Sequence, residues 1–92
     1  MLRVTRRVDP ARSAAREAMG LRLRLLRVGA QLSQASVAAS LNVRPATLSG
    51  WEQGTSELAA LDALRLADLY QVEVTVIFGR AAMPQVISGV FR

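Results

Sequence analysis

The chain of 92 residues contains neither cysteine nor histidine. Without cysteine it can form no disulfide bond and no thiolate metal site. Without imidazole and thiolate it lacks the side chains that most nucleophile–base pairs and zinc sites require. We therefore expect no enzyme activity, no cofactor, and neither a catalytic nor a metal-binding residue.

Long apolar runs are missing as well. The apolar stretches fall far short of the roughly 18–20 residues that span a bilayer. The arginine-rich N-terminus has no apolar segment of the kind found in signal peptides. We therefore expect a cytoplasmic protein without a membrane partner.

The length of the chain allows one domain. Its composition, with 51% hydrophobic and 21% charged residues, is typical of a globular protein.

Positive charge is concentrated at the start of the chain. The net charge is +5, and residues 1–27 contain eight arginines against two acidic residues, whereas residues 28–92 contain four against five. Clustered basic side chains favour a polyanion such as DNA, because neutralising phosphates releases condensed counterions. A solvated basic tail accounts for the same charge, so charge alone leaves both interpretations open.

The first half of the chain carries three helix signals. Asp9-Pro10 is a typical helix start, and residues 11–28 favour helix, either as one element or as two that divide at Gly20. Ser33 is a favourable N-cap for a helix over 34–41. The pattern therefore predicts a long first helix, divided or not, and a short second one.

The second half carries further helix signals and one ambiguous end. Pro45 begins a predicted helix that Gly54 terminates, and a fourth helix is predicted over 58–70. Residues 72–78 are rich in β-branched side chains but are placed where a short closing helix would fit. Residues 86–91 are typical of an edge strand or an interaction segment.

The segment from Leu32 to Gly54 contains two short helices joined by a tight turn. Ala38 falls where a larger side chain would hold the helices apart, and Asn42 falls where the turn needs a left-handed backbone. Two short helices in this arrangement indicate a helix-turn-helix.

This segment and its surroundings resemble the Cro/phage-repressor (XRE-like) helix-turn-helix family over about residues 21–78. The matching positions are Leu26-Arg27, Leu32-Ser33-Gln34, Ala38, Asn42-Val43, Leu48 and Trp51-Glu52-Gln53-Gly54. The resemblance implies an all-α, lambda-repressor-like bundle of about five helices. The residues predicted to be buried together are Leu26, Ala38, Val43, Leu48, Trp51, Leu66 and Ala67.

The resemblance also implies how such a domain meets DNA: the second helix of the motif enters the major groove. Gln34 would then hold a phosphate, and Gln53 with Thr55 or Ser56 would meet the backbone. The candidates for reading bases are Arg44, Thr47 and Ser49, with Ala46 contacting a thymine methyl group.

The chain departs from the family at three base-reading positions. Relatives commonly have Arg, Gln or Ser where this chain has Pro45, Ala46 and Gly50. Gly50 either lets the helix approach the bases closely or indicates weak direct readout. Specificity would then depend on DNA shape and on a basic arm in the minor groove. The arm residues in question are Arg3, Arg6 and Arg7.

Arg27 and Glu52 form one further informative pair. In the family the equivalent residues bridge the first and third helices, and an unpaired charge beside a buried Trp51 would be unfavourable. The alternative is two separate, solvent-exposed charges. Trp51 itself is interpreted as a core residue rather than a base-stacking one.

These patterns predict a basic N-terminal arm or helix extension at 1–20, a DNA-binding domain at 21–78, and a tail at 79–92. We expect a homodimeric transcriptional repressor that binds double-stranded DNA. The apolar side chains of 72–91 exceed what a core of this size needs, so they are expected to hold the dimer. The alternatives are an antitoxin that also binds a toxin, and a protein-interaction module without base readout, which Pro45 and Gly50 favour.

Overall fold

The computed structural model describes residues 9–84, which form five helices and contain no strand. The helices are α1 (Pro10–Gly29), α2 (Gln34–Leu41), α3 (Pro45–Gln53), α4 (Ala60–Tyr70) and α5 (Val74–Ile77). The prediction of an all-α bundle of five helices is confirmed. The arm at 1–8 and the candidate strand at 86–91 lie outside the described residues.

The predicted start and stop signals act where they were expected. The carboxylate of Asp9 accepts from the backbone N–H groups of residues 11 and 12, and the hydroxyl of Ser33 accepts from the N–H of Ser36. Asn42 ends α2 with a φ of 57°, and Gly54 ends α3 with a φ of 77°. These caps pair backbone groups that helix ends otherwise leave free.

Gly20 does not divide α1, which runs without interruption for 20 residues. The boundary predicted between residues 20 and 21 therefore falls inside a helix. Gly20 is buried where α1 crosses α3, and a Cβ atom there would collide with the α3 backbone. Its role is close helix packing rather than a break.

One other helix boundary differs from its prediction, and one open assignment is decided. α4 begins at Ala60 rather than at residue 58. Within the ambiguous segment 72–78, the residues of α5 (Val74–Ile77) are helical, and Val76 and Ile77 are buried in the core. Burial against the bundle thus outweighs the strand preference of β-branched residues.

The core is formed by side chains from all five helices, and six of the seven predicted core residues are buried. The exception is Val43, which is half-buried at its edge. The apolar side chains of 72–78 were expected to exceed what the core needs, but most of them pack in or against this core. Phe78 is the large hydrophobic residue that this segment leaves exposed. The remaining exposed large hydrophobic residues among those described are Leu21, Val28, Leu61 and Leu64.

Within residues 9–84, no helix has both the length and the apolar character needed to cross a membrane. The same residues contain no cluster of acidic side chains that could hold a metal ion.

Candidate nucleic-acid interface

Helices α2 and α3 form a compact helix–turn–helix. The turn is closed by hydrogen bonds from the N–H of Asn42 to the carbonyl of Ala39 (3.1 Å) and from the N–H of Val43 to that of Ala38 (3.0 Å). Ala38 is buried in the core to which both helices contribute. α3 packs against both α1 and α2, so its orientation is set from two sides.

Part of α3 faces the core, and the predicted base readers differ in how accessible they remain. Leu48 and Trp51 are buried, which confirms that Trp51 is a core residue. Arg44, which directly precedes α3, and Ala46 are exposed. The guanidinium of Arg44 forms no ion pair with any described residue.

The rest of this face continues towards the C-terminal end of α3. Thr47 and Ser49 are half-buried, and Gln53 is exposed. The side-chain amide of Gln53 donates to the hydroxyl of Ser49 over 3.0 Å. Ser49 and Gln53 are therefore neighbours on the accessible surface of α3.

Gly50 does not belong to that surface. It is buried, and a Cβ atom built on it would lie 2.5 Å from the hydroxyl oxygen of Ser56. The hydroxyl of Thr55 donates to the Gly50 carbonyl over 3.3 Å. The loop after α3 covers this position, so neither interpretation of Gly50 as a DNA-facing residue agrees with its placement.

Gln34 begins α2, and its side chain points to the third helix. The amide Nε2 donates to the Oε1 atom of Glu52 over 2.9 Å. The backbone N–H groups of Gln34 and Ala35 form no hydrogen bond within the described residues, as is usual for the first turn of a helix. Gln34, which is predicted to bind a phosphate, is thus hydrogen-bonded to the buried carboxylate of Glu52. It lies beside backbone N–H groups that have no partner among the described residues.

The predicted bridge between Arg27 and Glu52 is confirmed. Arg27 donates from Nε to Oε2 (2.7 Å) and from Nη2 to Oε1 (3.1 Å) of Glu52, and from Nη1 to the Leu32 carbonyl (3.0 Å). The side chain of Glu52 is 0% exposed and that of Arg27 is 13% exposed. The hydrogen bond to Glu52 is the main cause that raises the pKa of Arg27.

Two further side chains lie near this pair. Arg24 approaches the Oε1 atom of Glu52 at 3.9 Å, and half of its side chain is exposed. The buried hydroxyl of Tyr70 has no hydrogen-bond partner among the described residues. Burial chiefly, and the charge of Glu52 next, raise the pKa of Tyr70 well above its ordinary value.

The other arginines of α1 serve the fold. Arg12 donates to Glu57 over 2.6 Å, and Arg16 donates to the same carboxylate (3.2 Å) and to the Gly54 carbonyl (3.2 Å). Arg22 donates to the Ile77 carbonyl over 2.7 Å. Four of the eight arginines in residues 1–27 (Arg12, Arg16, Arg22 and Arg27) are therefore engaged in contacts within the fold, which weakens the charge-based argument for DNA. Arg3, Arg6 and Arg7 lie outside the described residues.

Two contacts of this region were not predicted from the sequence. The Gln34–Glu52 hydrogen bond joins residues 18 positions apart, so no local pattern indicates it. Arg24 lies three residues before Arg27, a spacing that places both on one face of α1. That spacing was the available signal for Arg24.

The fold and this surface define a helix-turn-helix protein, and comparison with known families agrees. Residues 18–77 match the helix-turn-helix domain family, which is more than half of the chain. The protein belongs to this family, which is of the Cro/C1/XRE type. No curated protein and no solved structure matches the chain.

Proposed function

We propose that the protein is a sequence-specific, DNA-binding transcriptional regulator that acts as a homodimeric repressor. The observation that carries this proposal is that α3 buries Leu48 and Trp51 in the core, whereas Arg44 stays exposed and Thr47 and Ser49 stay half-buried. A helix that buries one side and offers polar side chains on the other, held rigidly by two neighbours, suits insertion into the major groove.

In this mechanism the N-terminal end of α3 reads the bases. Arg44 bonds the O6 and N7 atoms of a guanine, and Ala46 contacts the methyl group of a thymine. Thr47 and Ser49 offer hydroxyl groups that pair with either donors or acceptors. These contacts give the protein its preference among sequences.

Backbone contacts set the position of the domain on the duplex. Gln34 and the free N–H groups of the first turn of α2 bind one phosphate, and Gln53 with Thr55 binds another. Arg3, Arg6 and Arg7 add sequence-independent attraction. Two protomers place their α3 helices one turn of DNA apart, which gives an operator with two similar half-sites.

Selection of bound fragments from genomic DNA tests this function. We expect enrichment of a short motif with two half-sites, bound more weakly as the salt concentration rises. A scrambled duplex of equal length and composition is the control. Equal binding of the motif and the scrambled duplex, or no binding at low salt, would contradict sequence-specific recognition.

A second candidate is a protein-interaction module, including an antitoxin that also binds a toxin. It is favoured by Pro45 and Ala46, which offer no polar side-chain group at the exposed start of α3, and by Leu61 and Leu64, which leave apolar surface exposed on α4. Substituting both leucines by serine separates the two functions. A regulator without a protein partner keeps its DNA affinity and loses nothing else, an antitoxin keeps its DNA affinity but loses its protein partner, and a pure protein-interaction module binds no DNA before or after the substitution.

A further inference from the structure

Three donors from two helices converge on one oxygen atom of a buried carboxylate. The Oε1 atom of Glu52 accepts from Arg27 (3.1 Å) and from Gln34 (2.9 Å), and the Nε atom of Arg24 lies 3.9 Å away. Arg27 is largely covered, whereas Arg24 is half exposed and Gln34 is at the surface of α2. Glu52 therefore links the largely covered side chain of Arg27 to the side chains of Arg24 and Gln34, both of which reach solvent.

The charges within this group do not cancel. Arg27 donates to both oxygen atoms of the carboxylate and neutralises its charge. Two such parallel hydrogen bonds form the strongest arginine–carboxylate geometry. Arg24 forms no hydrogen bond with any described residue, and its approach to Glu52 is long for an ion pair. One positive charge thus remains beside the amide of Gln34.

We propose that Glu52 is a positioning residue that holds Gln34 and Arg24 together as one contact for a DNA backbone phosphate. Arg24 supplies the charge, and Gln34 supplies a neutral hydrogen bond from the N–H that Glu52 does not engage. This inference rests on the proposed function, because the ligand is the phosphate of a bound duplex. It assigns a specific place on the binding surface to Arg24, which in the sequence is one member of the basic cluster at 1–27.

The geometry explains why the two side chains need a buried anchor. A free glutamine at a surface loses rotational freedom about several bonds on binding, which costs conformational entropy. A carboxylate that already holds the amide removes most of that loss before DNA arrives. The negative charge of the same carboxylate also attracts the guanidinium of Arg24 towards Oε1, the oxygen atom that accepts from Gln34.

Salt dependence separates the two roles. We expect Arg24→Gln to lower the steepness of log Kd against log salt by roughly one, because one phosphate loses its cation. We expect Gln34→Ala to weaken binding about threefold to tenfold with an unchanged slope, as a neutral hydrogen bond requires. Because both act on one phosphate, the double variant should lose less than the product of the two single losses.

Arg65→Gln is the matched control. The side chain of Arg65 is 46% exposed against 50% for Arg24, and it donates to the Leu41 carbonyl at the far end of α2 from Gln34. Removing this arginine removes the same charge at a distance from the site, so any change in slope should be smaller. Equal slopes for the two arginine variants would overturn the assignment of Arg24.

The positioning role has a readout in the folded wild-type protein. One side-chain amide proton of Gln34 should exchange with water more slowly than those of the exposed Gln31, measured by NMR without DNA. Addition of the selected duplex should then shift the other proton. Equal exchange in Gln34 and Gln31 overturns the role of Glu52 even if DNA binding is observed. If the wild-type protein binds no duplex, the proposed function fails, and the phosphate contact fails with it.

Discussion

Gly20 in α1 lies directly against the backbone of Glu52 in α3. A Cβ atom built on Gly20 would collide with the carbonyl oxygen of Glu52 and would stand 2.6 Å from that of Trp51. Because both obstacles are backbone atoms of a packed helix, neither can rotate away. This contact sets how deeply α3 sits on α1, and it places Glu52 within reach of the arginines of α1.

Gly20→Ala should therefore destabilise the fold despite the better helix propensity of alanine. We expect a loss of about 2 kcal/mol or more in the free energy of unfolding, as for other overpacked contacts. Gly50→Ala is the matched control, because its Cβ atom meets the hydroxyl end of Ser56, which can change rotamer. Urea unfolding of the two variants measures the difference. Equal stability of both would mean that the helices separate without cost.

Breaking the Arg27–Glu52 pair from one side should be costly. Glu52→Gln leaves the guanidinium of Arg27 mostly covered and without its counter-charge, and we expect a loss of about 3–5 kcal/mol. Arg12→Gln, which breaks the exposed pair with Glu57, serves as the comparison and should change stability little. Thermal melting distinguishes them. A Glu52→Gln protein that melts like the parent would show that the pair adds nothing to stability.

Acid should weaken the tie between α1 and the loop after α3. The hydrogen bond from Arg12 chiefly, and Arg16 in addition, hold the pKa of Glu57 below its ordinary value of 4.5. A carboxylate whose pKa is lower in the folded state stabilises the fold above the pKa of the unfolded chain. That contribution is lost as the pH falls through the folded value.

We therefore expect the free energy of unfolding to decrease below pH 4.5, and Glu57→Gln to remove that part of the decrease. The effect should be small and should shrink in high salt, because these side chains are exposed. Urea titrations at several pH values and two salt concentrations measure it. An acid response that Glu57→Gln leaves unchanged would assign the response to other carboxylates.

The N-terminal arm and Arg44 should affect DNA binding in different ways. Deleting residues 1–8 removes Arg3, Arg6 and Arg7, so it should weaken all duplexes about equally and flatten the salt dependence. Arg44→Ala should cost about 1–3 kcal/mol chiefly on the preferred operator. Both variants can be titrated with operator and scrambled duplexes. Equal losses on both duplexes for Arg44→Ala would limit Arg44 to a phosphate contact, and unchanged binding without the arm would make it a solvated tail.

The proposed dimer should depend on the residues after α5. Val76 and Ile77 are already used by the core, which leaves Phe78 and the apolar residues of 85–92 as the available contacts. We expect the full chain to sediment as a dimer at tens of micromolar, and a chain that ends at Pro84 to sediment as a monomer. Phe78→Ser in the full chain should weaken the dimer less than the truncation. A monomeric full chain would exclude this interface.

Local sequence determined where most helices begin and end. Asp9, Ser33, Asn42 and Gly54 act within a few residues of their own position, through a side-chain acceptor or a left-handed backbone. These capping interactions need no distant partner, so the helix ends that they form can be predicted from the sequence. The spacing of Ala38, Leu48 and Trp51 likewise indicated the helix-turn-helix and its buried side.

Only the tertiary structure decided what the polar and glycine residues do. The sequence allows Gly20 to be interpreted as a helix break and Gly50 as a DNA-facing position, but one admits the backbone of α3 and the other lies beneath Ser56. The arginines of α1 resemble a DNA-binding stripe, but Arg12 and Arg22 are bound to groups 45 and 55 residues away. The identity of a charged side chain does not reveal its partner. That partner is set by which helices pack together, and packing is decided by the burial of the whole core.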